Sequence, residues 1–292
     1  MKNLHRIRKI TIVGMIVNIL LSILKVVVGI LACSQSLVAD GFHSISDLIS
    51  DAVILVGSKF WLSPPDQTHP YGHGRIETIV NVIIGVLLGG VGIGIGWNAI
   101  KTLGVTHLAP PGWVAFYVAV VSIISKELIY RITVFEGRRI NSSAVIANAW
   151  HHRSDAFSSI PVAVAVIGSK INPDLLYLDH IAALIVTAMI LKAACSIIVP
   201  SIRELTESCS DHSLEERIIL LGKKIPEIKE IHKIRSRHVG SSILMDMHLL
   251  FEPKMSIEEA HTIAESFNKK ILNSENNLAE VIIHIEPYYE QD

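Results

Sequence analysis

Up to about residue 205, apolar stretches of similar length recur along the chain, at about 10–33, 36–60, 77–101, 112–135, 142–169 and 175–200. Each reaches the roughly 17–25 residues that a helix needs to cross a bilayer. Only the third is free of charge, from Val80 to Ile100; the others carry one or more ionisable residues, so a hydropathy count alone passes over some of them. Six such lengths in two hundred residues exceed what one soluble core accommodates, and the pattern predicts six membrane-spanning helices. Within the third, Gly85, Gly89 and Gly96 fall at spacings of four and seven, a stripe without side chains that permits close helix contact.

Beyond residue 205 the periodicity changes. Leu214–Lys224 and Ile257–Leu272 repeat as amphipathic helices, whereas 231–237, 242–251 and 281–285 alternate as strands. Pro226, Pro253 and the run Asn273-Ser-Glu-Asn-Asn punctuate them. The order α-β-β-α-β predicts a small α+β domain with its helices on one face of a short sheet. The chain thus divides into a transmembrane domain, 1–204, and a second domain, 205–292.

Composition agrees with a membrane protein. Half of the residues are hydrophobic and 18% are charged, against about 25% charged in an ordinary soluble domain. The formal net charge is −1 and no basic patch dominates, which excludes nucleic acid as a partner. Cys33, Cys195 and Cys209 form no C-x-x-C pair and read as small buried apolar side chains rather than a disulfide framework or thiolate zinc site. The N-terminal apolar run is longer than a signal-peptide core and contains Lys25, so it is expected to be retained as a first span. Basic residues gather at Lys2, Arg6, Arg8 and Lys9, at Lys59 and Arg75, and at Arg131, Arg138 and Arg139; the other side shows little beyond Lys101 and Lys170. The positive-inside rule then places both termini in the cytoplasm.

Polar residues inside the spans carry the chemistry. His43-x-x-x-Asp47 in the second and His151-x-x-x-Asp155 in the fifth are the same pair at the same spacing. Four residues is about one helical turn, so each pair projects from one face. Asp40, His43, Asp47 and Asp51 fall within an arc of about 80°, a stripe that cannot face lipid. Two imidazoles and two carboxylates converging on one point form a tetrahedral site suited to Zn²⁺. Mn²⁺, Fe²⁺ and Co²⁺ accept the same ligands, while the lack of thiolates disfavours Cu⁺. Ligands bind metal deprotonated, so metal and H⁺ compete for the imidazoles, the physical basis of an exchange cycle. An intramembrane metalloenzyme is the alternative, but the chain has no H-E-x-x-H motif to supply a general base.

Two further groups have ligand character. The loop after the second span holds Asp66, His69 and His73, in Asp66-x-x-His69-Pro-Tyr-Gly-His73. The second domain holds His232, His248, His261 and His284, with Glu286 on the same strand face as His284.

Taken together, Ala39-Asp40-Gly-Phe-His43-Ser-Ile-Ser-Asp47, the loop motif running on through Gly74-Arg75-Ile-Glu77, and His151-His152-Arg-Ser-Asp155 resemble the cation diffusion facilitators, divalent-metal/proton antiporters. The resemblance extends from the first span to Ile283-His284-Ile-Glu286-Pro287. It implies an α-helical polytopic membrane protein of six transmembrane helices with a cytoplasmic ferredoxin-like, metallochaperone-like α+β domain, working as a homodimer in a lipid bilayer. It is not an enzyme on this reading but an efflux transporter, most simply for Zn²⁺ against protons, with Mn²⁺ or Fe²⁺ export within the same family as the alternative and Co²⁺ or Cd²⁺ as further possible cargo. The implied transport ligands are His43, Asp47, His151 and Asp155. Some bacterial members carry Asp at the position of His43, and the two-His set is similar to that of zinc-selective members. Asp66, His69 and His73 would form the loop site. His232, His248, His261 and His284 would bind regulatory zinc, with Glu286 standing where relatives often have Asp. Arg75 and Glu207 would form a charge interlock. A prokaryotic inner membrane is the expected location.

Overall fold

A computed structural model describes residues 2–61, 63–103, 110–139, 143–208, 212–240, 242–275 and 278–289. Six long helices come first: α1 (Lys2–Leu31), α2 (Gln35–Trp61), α3 (Gly74–Thr102), α4 (Trp113–Arg139), α5 (Ser143–Ile171) and α6 (Tyr177–Leu205). Then follow α7 (His212–Gly222), β1 (Glu230–Val239), β2 (Ser242–Phe251), α8 (Ile257–Ser274) and β3 (Leu278–Pro287), in the predicted order α-β-β-α-β. By length and composition, Ile12–Leu31, Gly74–Thr102, Trp113–Arg139, His152–Ile171 and Tyr177–Leu205 are able to cross a membrane. At 27 residues α2 is as long and comparably apolar, although it carries Asp40, Asp47, Asp51 and Lys59. Leu20, Leu87, Tyr117 and Ile124 stand exposed on these helices, a lipid-facing surface that water does not tolerate. This is a polytopic membrane protein with a C-terminal α+β domain.

The chain forms two compact units, Met1–Val56 with Ile83–Ile197, and Gly57–Val82 with Ile198–Asp292. The second takes in residues 57–82, which the division of the sequence near residue 205 leaves with the spans. The reason is a set of polar bonds. Arg75 donates to the Glu204 carbonyl (2.8 Å) and to Glu207 Oε1 (2.9 Å). Glu204 Oε1 accepts from the Thr78 hydroxyl and from the Gly240 N–H, both at 2.6 Å. Gly240 has φ +59, and a Cβ there would lie 3.1 Å from Glu77 Oε2 and 3.3 Å from the Gly74 carbonyl oxygen, so this turn requires glycine.

In the first unit, helix contact relies on missing side chains. A Cβ on Gly29 would lie 2.8 Å from the Val38 nitrogen, and one on Gly41 2.9 Å from the Val26 nitrogen, which brings α1 and α2 close together. On α3 the close-packed glycines are Gly92 against Ile190 (3.0 Å) and Gly96 against Thr187 (2.8 Å) of α6, with Gly89 at ordinary distance from Ala194. The stripe therefore runs through Gly92, a position outside the predicted four-and-seven spacing. Asp179 of α6 accepts the Gln35 N–H (2.7 Å) and the hydroxyls of Ser34 (2.8 Å) and Ser36 (2.5 Å), capping the start of α2. Cys33 and Cys195 are exposed, contrary to the burial expected of them, because one lies in the α1–α2 turn and the other on the outer surface of α6; Cys209 lies outside the described residues.

In the second unit β1 pairs antiparallel with β2, and β2 pairs parallel with β3 across the α8 crossover. The core joins Met245, Met247, Leu249 and Phe251 of β2 to Leu214 and Ile218 of α7 and to Ala260, Ala264, Phe267 and Ile271 of α8. Both helices therefore cover the face on which the odd-numbered β2 residues lie, and the even-numbered residues face the other way.

Candidate metal sites

Three groups of ligand side chains assemble from the predicted residues. His43, Asp47 and Asp155 each bring one ligand atom to within 4.8 Å of the others. His43 and Asp47 share a face of α2, and Asp155 projects from α5, as the doubled spacing predicts. His43 is 7% exposed and Asp155 5%, and His43 Nδ1 is buried without a hydrogen-bond partner among the described residues. A buried polar atom of this kind is costly unless something engages it. His151 lies on α5, four residues before Asp155, but its side chain falls outside the described residues.

Sequence reasoning missed what surrounds this group. Lys25 of α1 is fully buried and forms an ion pair with Asp40 (Nζ–Oδ2 2.8 Å) while also donating to the Ser44 hydroxyl (3.2 Å). Asp40 accepts further from Ser158 (2.5 Å) and Ser159 (2.6 Å) of α5. Its carboxylate is thus satisfied by a cation and two hydroxyls, which accounts for Asp40 lying on the α2 stripe without being among the clustered ligands; the Asp51 side chain lies outside the described residues. Lys126 of α4 is also buried, with Nζ 3.5 Å from Asp155 Oδ2. Lysines in apolar helices are a signal that a buried anion is near, although not of which one.

The loop group is built by a turn, with Asp66 and His69 exposed and His73 half-buried. Asp66 Oδ1 accepts from the Thr68 N–H (2.8 Å), the Thr68 hydroxyl (2.7 Å) and the His69 N–H (2.7 Å). The Thr68 hydroxyl first, then the His69 N–H, hold the Asp66 carboxyl down to about 2. His73 Nε2 stands 3.4 Å from Asp66 Oδ2, and the His69 and His73 rings are 4.4 Å apart between centroids. Gly72, at φ +83, allows the reversal that returns His73 toward Asp66.

The third group is a matter of strand register. His232 pairs with His248 across β1 and β2, and His248 with His284 across β2 and β3, so three imidazoles form one row across the sheet. They lie on the face turned away from α7 and α8. Glu286, two residues beyond His284, touches all three: 3.0 Å to His232 Nε2, 2.8 Å to His248 Nδ1 and 3.6 Å to His284 Nε2. Its carboxyl is held below the ordinary glutamate range by His248 first, with His232 and Lys233 adding to the effect. His232, His248 and Glu286 offer ligand atoms within 4.8 Å of one another, and the His284 ring is 4.7 Å from that of His248. His261 is not brought to this group. It follows the core residue Ala260 on α8, is exposed, and belongs to the helix-covered side of the sheet. Arg75 and Glu207, by contrast, meet as the resemblance implies.

Comparison with known proteins gives one answer for both halves. The model of the cation efflux transmembrane domain matches residues 11–206, and that of the cation efflux protein cytoplasmic domain matches residues 211–288. The chain is 34% identical over 289 residues to the manganese efflux system protein MneP of Bacillus subtilis, covering 97% of each. It is 34% identical to metal tolerance protein C1 of Arabidopsis thaliana, covering 97% of this chain and 63% of that protein. With the magnetosome protein MamB of Paramagnetospirillum magneticum the identity is 32%, over 92% of this chain and 90% of that protein.

Proposed function

The chain belongs to the cation efflux family, the cation diffusion facilitators, which are transporters of divalent metal cations and not enzymes, and we propose that it exports Zn²⁺ in exchange for protons through His43, Asp47, His151 and Asp155. The observation that carries the reading is the buried convergence of His43, Asp47 and Asp155 from two helices. Imidazole nitrogen and carboxylate oxygen suit Zn²⁺ at about 2.0–2.2 Å. Binding requires neutral imidazole, so protons arriving from the far side compete with the metal for His43 and His151 and drive its release.

On this reading residues 1–204 carry transport and 205–292 regulate it. Both termini are cytoplasmic, the membrane is a prokaryotic inner membrane, and the protein works as a homodimer. The row His232–His248–His284 with Glu286 holds regulatory zinc: two nitrogens and a carboxylate already in mutual reach fit that ion, and His284 stands next to them as a further ligand. His261 stands apart from the row within one chain, so it joins a zinc site only through a second copy. The loop residues Asp66, His69 and His73 form a third, more exposed site.

Zn²⁺ uptake into inside-out vesicles under a pH gradient tests the assignment. Asp47→Ala and Asp155→Ala are each expected to abolish flux, and undiminished flux in either would sink it. Manganese export is the second reading, favoured by the identity to a manganese efflux protein. Mn²⁺ competing with Zn²⁺ at equal concentration in the same vesicles would select it.

A further inference from the structure

We propose that Lys126 is a tethered competitor of the cargo: its ammonium group shares the Asp155 carboxylate with the bound metal and keeps the affinity of the transport site low enough for release. The inference rests on the assignment of His43, Asp47, His151 and Asp155 to that site.

Among the described residues of the first unit two lysines are buried, Lys25 at 0% and Lys126 at 2% exposure. They are placed differently. Lys25 is locked to Asp40 at 2.8 Å, and that carboxylate is further saturated by Ser158 and Ser159. The pair is a closed, neutral brace joining α1, α2 and α5. Lys126 instead lies 3.5 Å from Asp155, at a looser distance, and Asp155 is itself one of the three clustered ligands. One carboxylate therefore serves both an ammonium group and a metal site.

Charge counting shows the consequence. With neutral imidazoles, Asp47, Asp155 and Lys126 sum to −1, and a divalent cation takes the group to +1. Without the lysine, the same four ligands and cation sum to zero. Inside a low-dielectric helix bundle an excess positive charge a few ångströms from the metal is strongly unfavourable. An ammonium group has no lone pair to offer the metal, so Lys126 opposes binding and does not contribute to it. A transporter needs that opposition, because a site that binds too tightly keeps its cargo. The long, flexible lysine stem lets the ammonium withdraw when metal enters and return as it leaves.

The experiment compares Lys126→Met and Lys126→Arg in the full-length protein, in a background carrying Asp66→Ala and Glu286→Ala to silence the loop and sheet groups. Zn²⁺ affinity is measured by chelator competition, and Zn²⁺ flux in vesicles. Lys126→Met is expected to bind Zn²⁺ at least about tenfold more tightly, with a lower KM and a lower maximal flux. Lys126→Arg, which keeps the charge, stays within about threefold of the parent. If Lys126→Met does not fold, Lys126→Gln removes the charge with a polar side chain and serves the same comparison. Affinity unchanged or weakened in the neutral variants, with binding abolished by Asp155→Ala, overturns the competitor role and leaves the site standing. Binding that survives Asp155→Ala overturns both.

Discussion

The buried ligand group in the helices and the histidine row on the sheet use the same ligand chemistry in opposite surroundings. His43, Asp47 and Asp155 converge from separate helices, are largely buried, and have an ammonium group within reach of one ligand. His232, His248 and His284 are held at one register by backbone ladders, around a Glu286 carboxylate that already bonds to the His232 and His248 imidazoles. A group spread over independent helices opens and closes as those helices move. A group printed on a sheet keeps its geometry, since a one-residue slip would carry every ligand to the other face. On the proposed function, the difference separates a site through which metal passes from one in which it stays.

The largest expected effect is the sharpest test of that contrast. Asp155→Ala abolishes Zn²⁺ flux, whereas Glu286→Ala lowers the metal content of the purified full-length protein but leaves flux above background. Flux lost as completely in Glu286→Ala as in Asp155→Ala would break the comparison. Next, His43→Asp replaces one nitrogen ligand by a third carboxylate and is expected to shift competition away from Zn²⁺ by roughly tenfold relative to Mn²⁺ or Cd²⁺ in vesicle uptake. No equivalent shift is expected from His248→Asp.

Smaller effects bear on the rigidity of the second unit. Gly240→Val places a β-branched residue at φ +59 beside Glu77 and Gly74. It is expected to cost about 1–3 kcal/mol, read as a lower denaturant midpoint for that unit, with intrinsic Zn²⁺ affinity at the helix site unchanged. The smallest effect concerns α8. Ser256 and Glu259 form a reciprocal capping box, and the Ser256 hydroxyl first, then its N–H, lower the Glu259 carboxyl below its ordinary range. A lowered native value means that these bonds stabilise the fold above the unfolded glutamate value and are lost as pH falls through the native one. Hydrogen-exchange protection in the first turn of α8 is therefore expected to hold at neutral pH and decline in acid. Ser256→Ala costs about 1 kcal/mol at neutral pH, and Glu259→Gln removes the acid dependence.

Much of the fold was legible. All three strands and both helices of the second domain emerge from periodicity; the capping box of Ser256 and Glu259 that starts α8 came only with the structure. The α2 stripe identified its interior face, because three aspartates and a histidine at helical spacing have one explanation in a membrane. The stripe could not distinguish Asp40 from Asp47. That distinction depends on Lys25, 15 positions away and brought close by α1–α2 packing at Gly29 and Gly41, and on Ser158 and Ser159 of α5, 118 and 119 positions away.

The sequence by itself determined the spans, the order of the second domain, and which side chains share a face, because periods of 3.6 and 2 act within a single element. Only the tertiary structure decided which faces meet. Register aligned His232, His248 and His284 and centred Glu286 among them, while the same sheet, covered by helices on its other face, left His261 outside. Packing likewise assigned Lys25 to Asp40 and Lys126 to Asp155. The pairing of Lys126 with Asp155 is invisible in any one helix, because electrostatic energy depends on distance through space and not on separation along the chain.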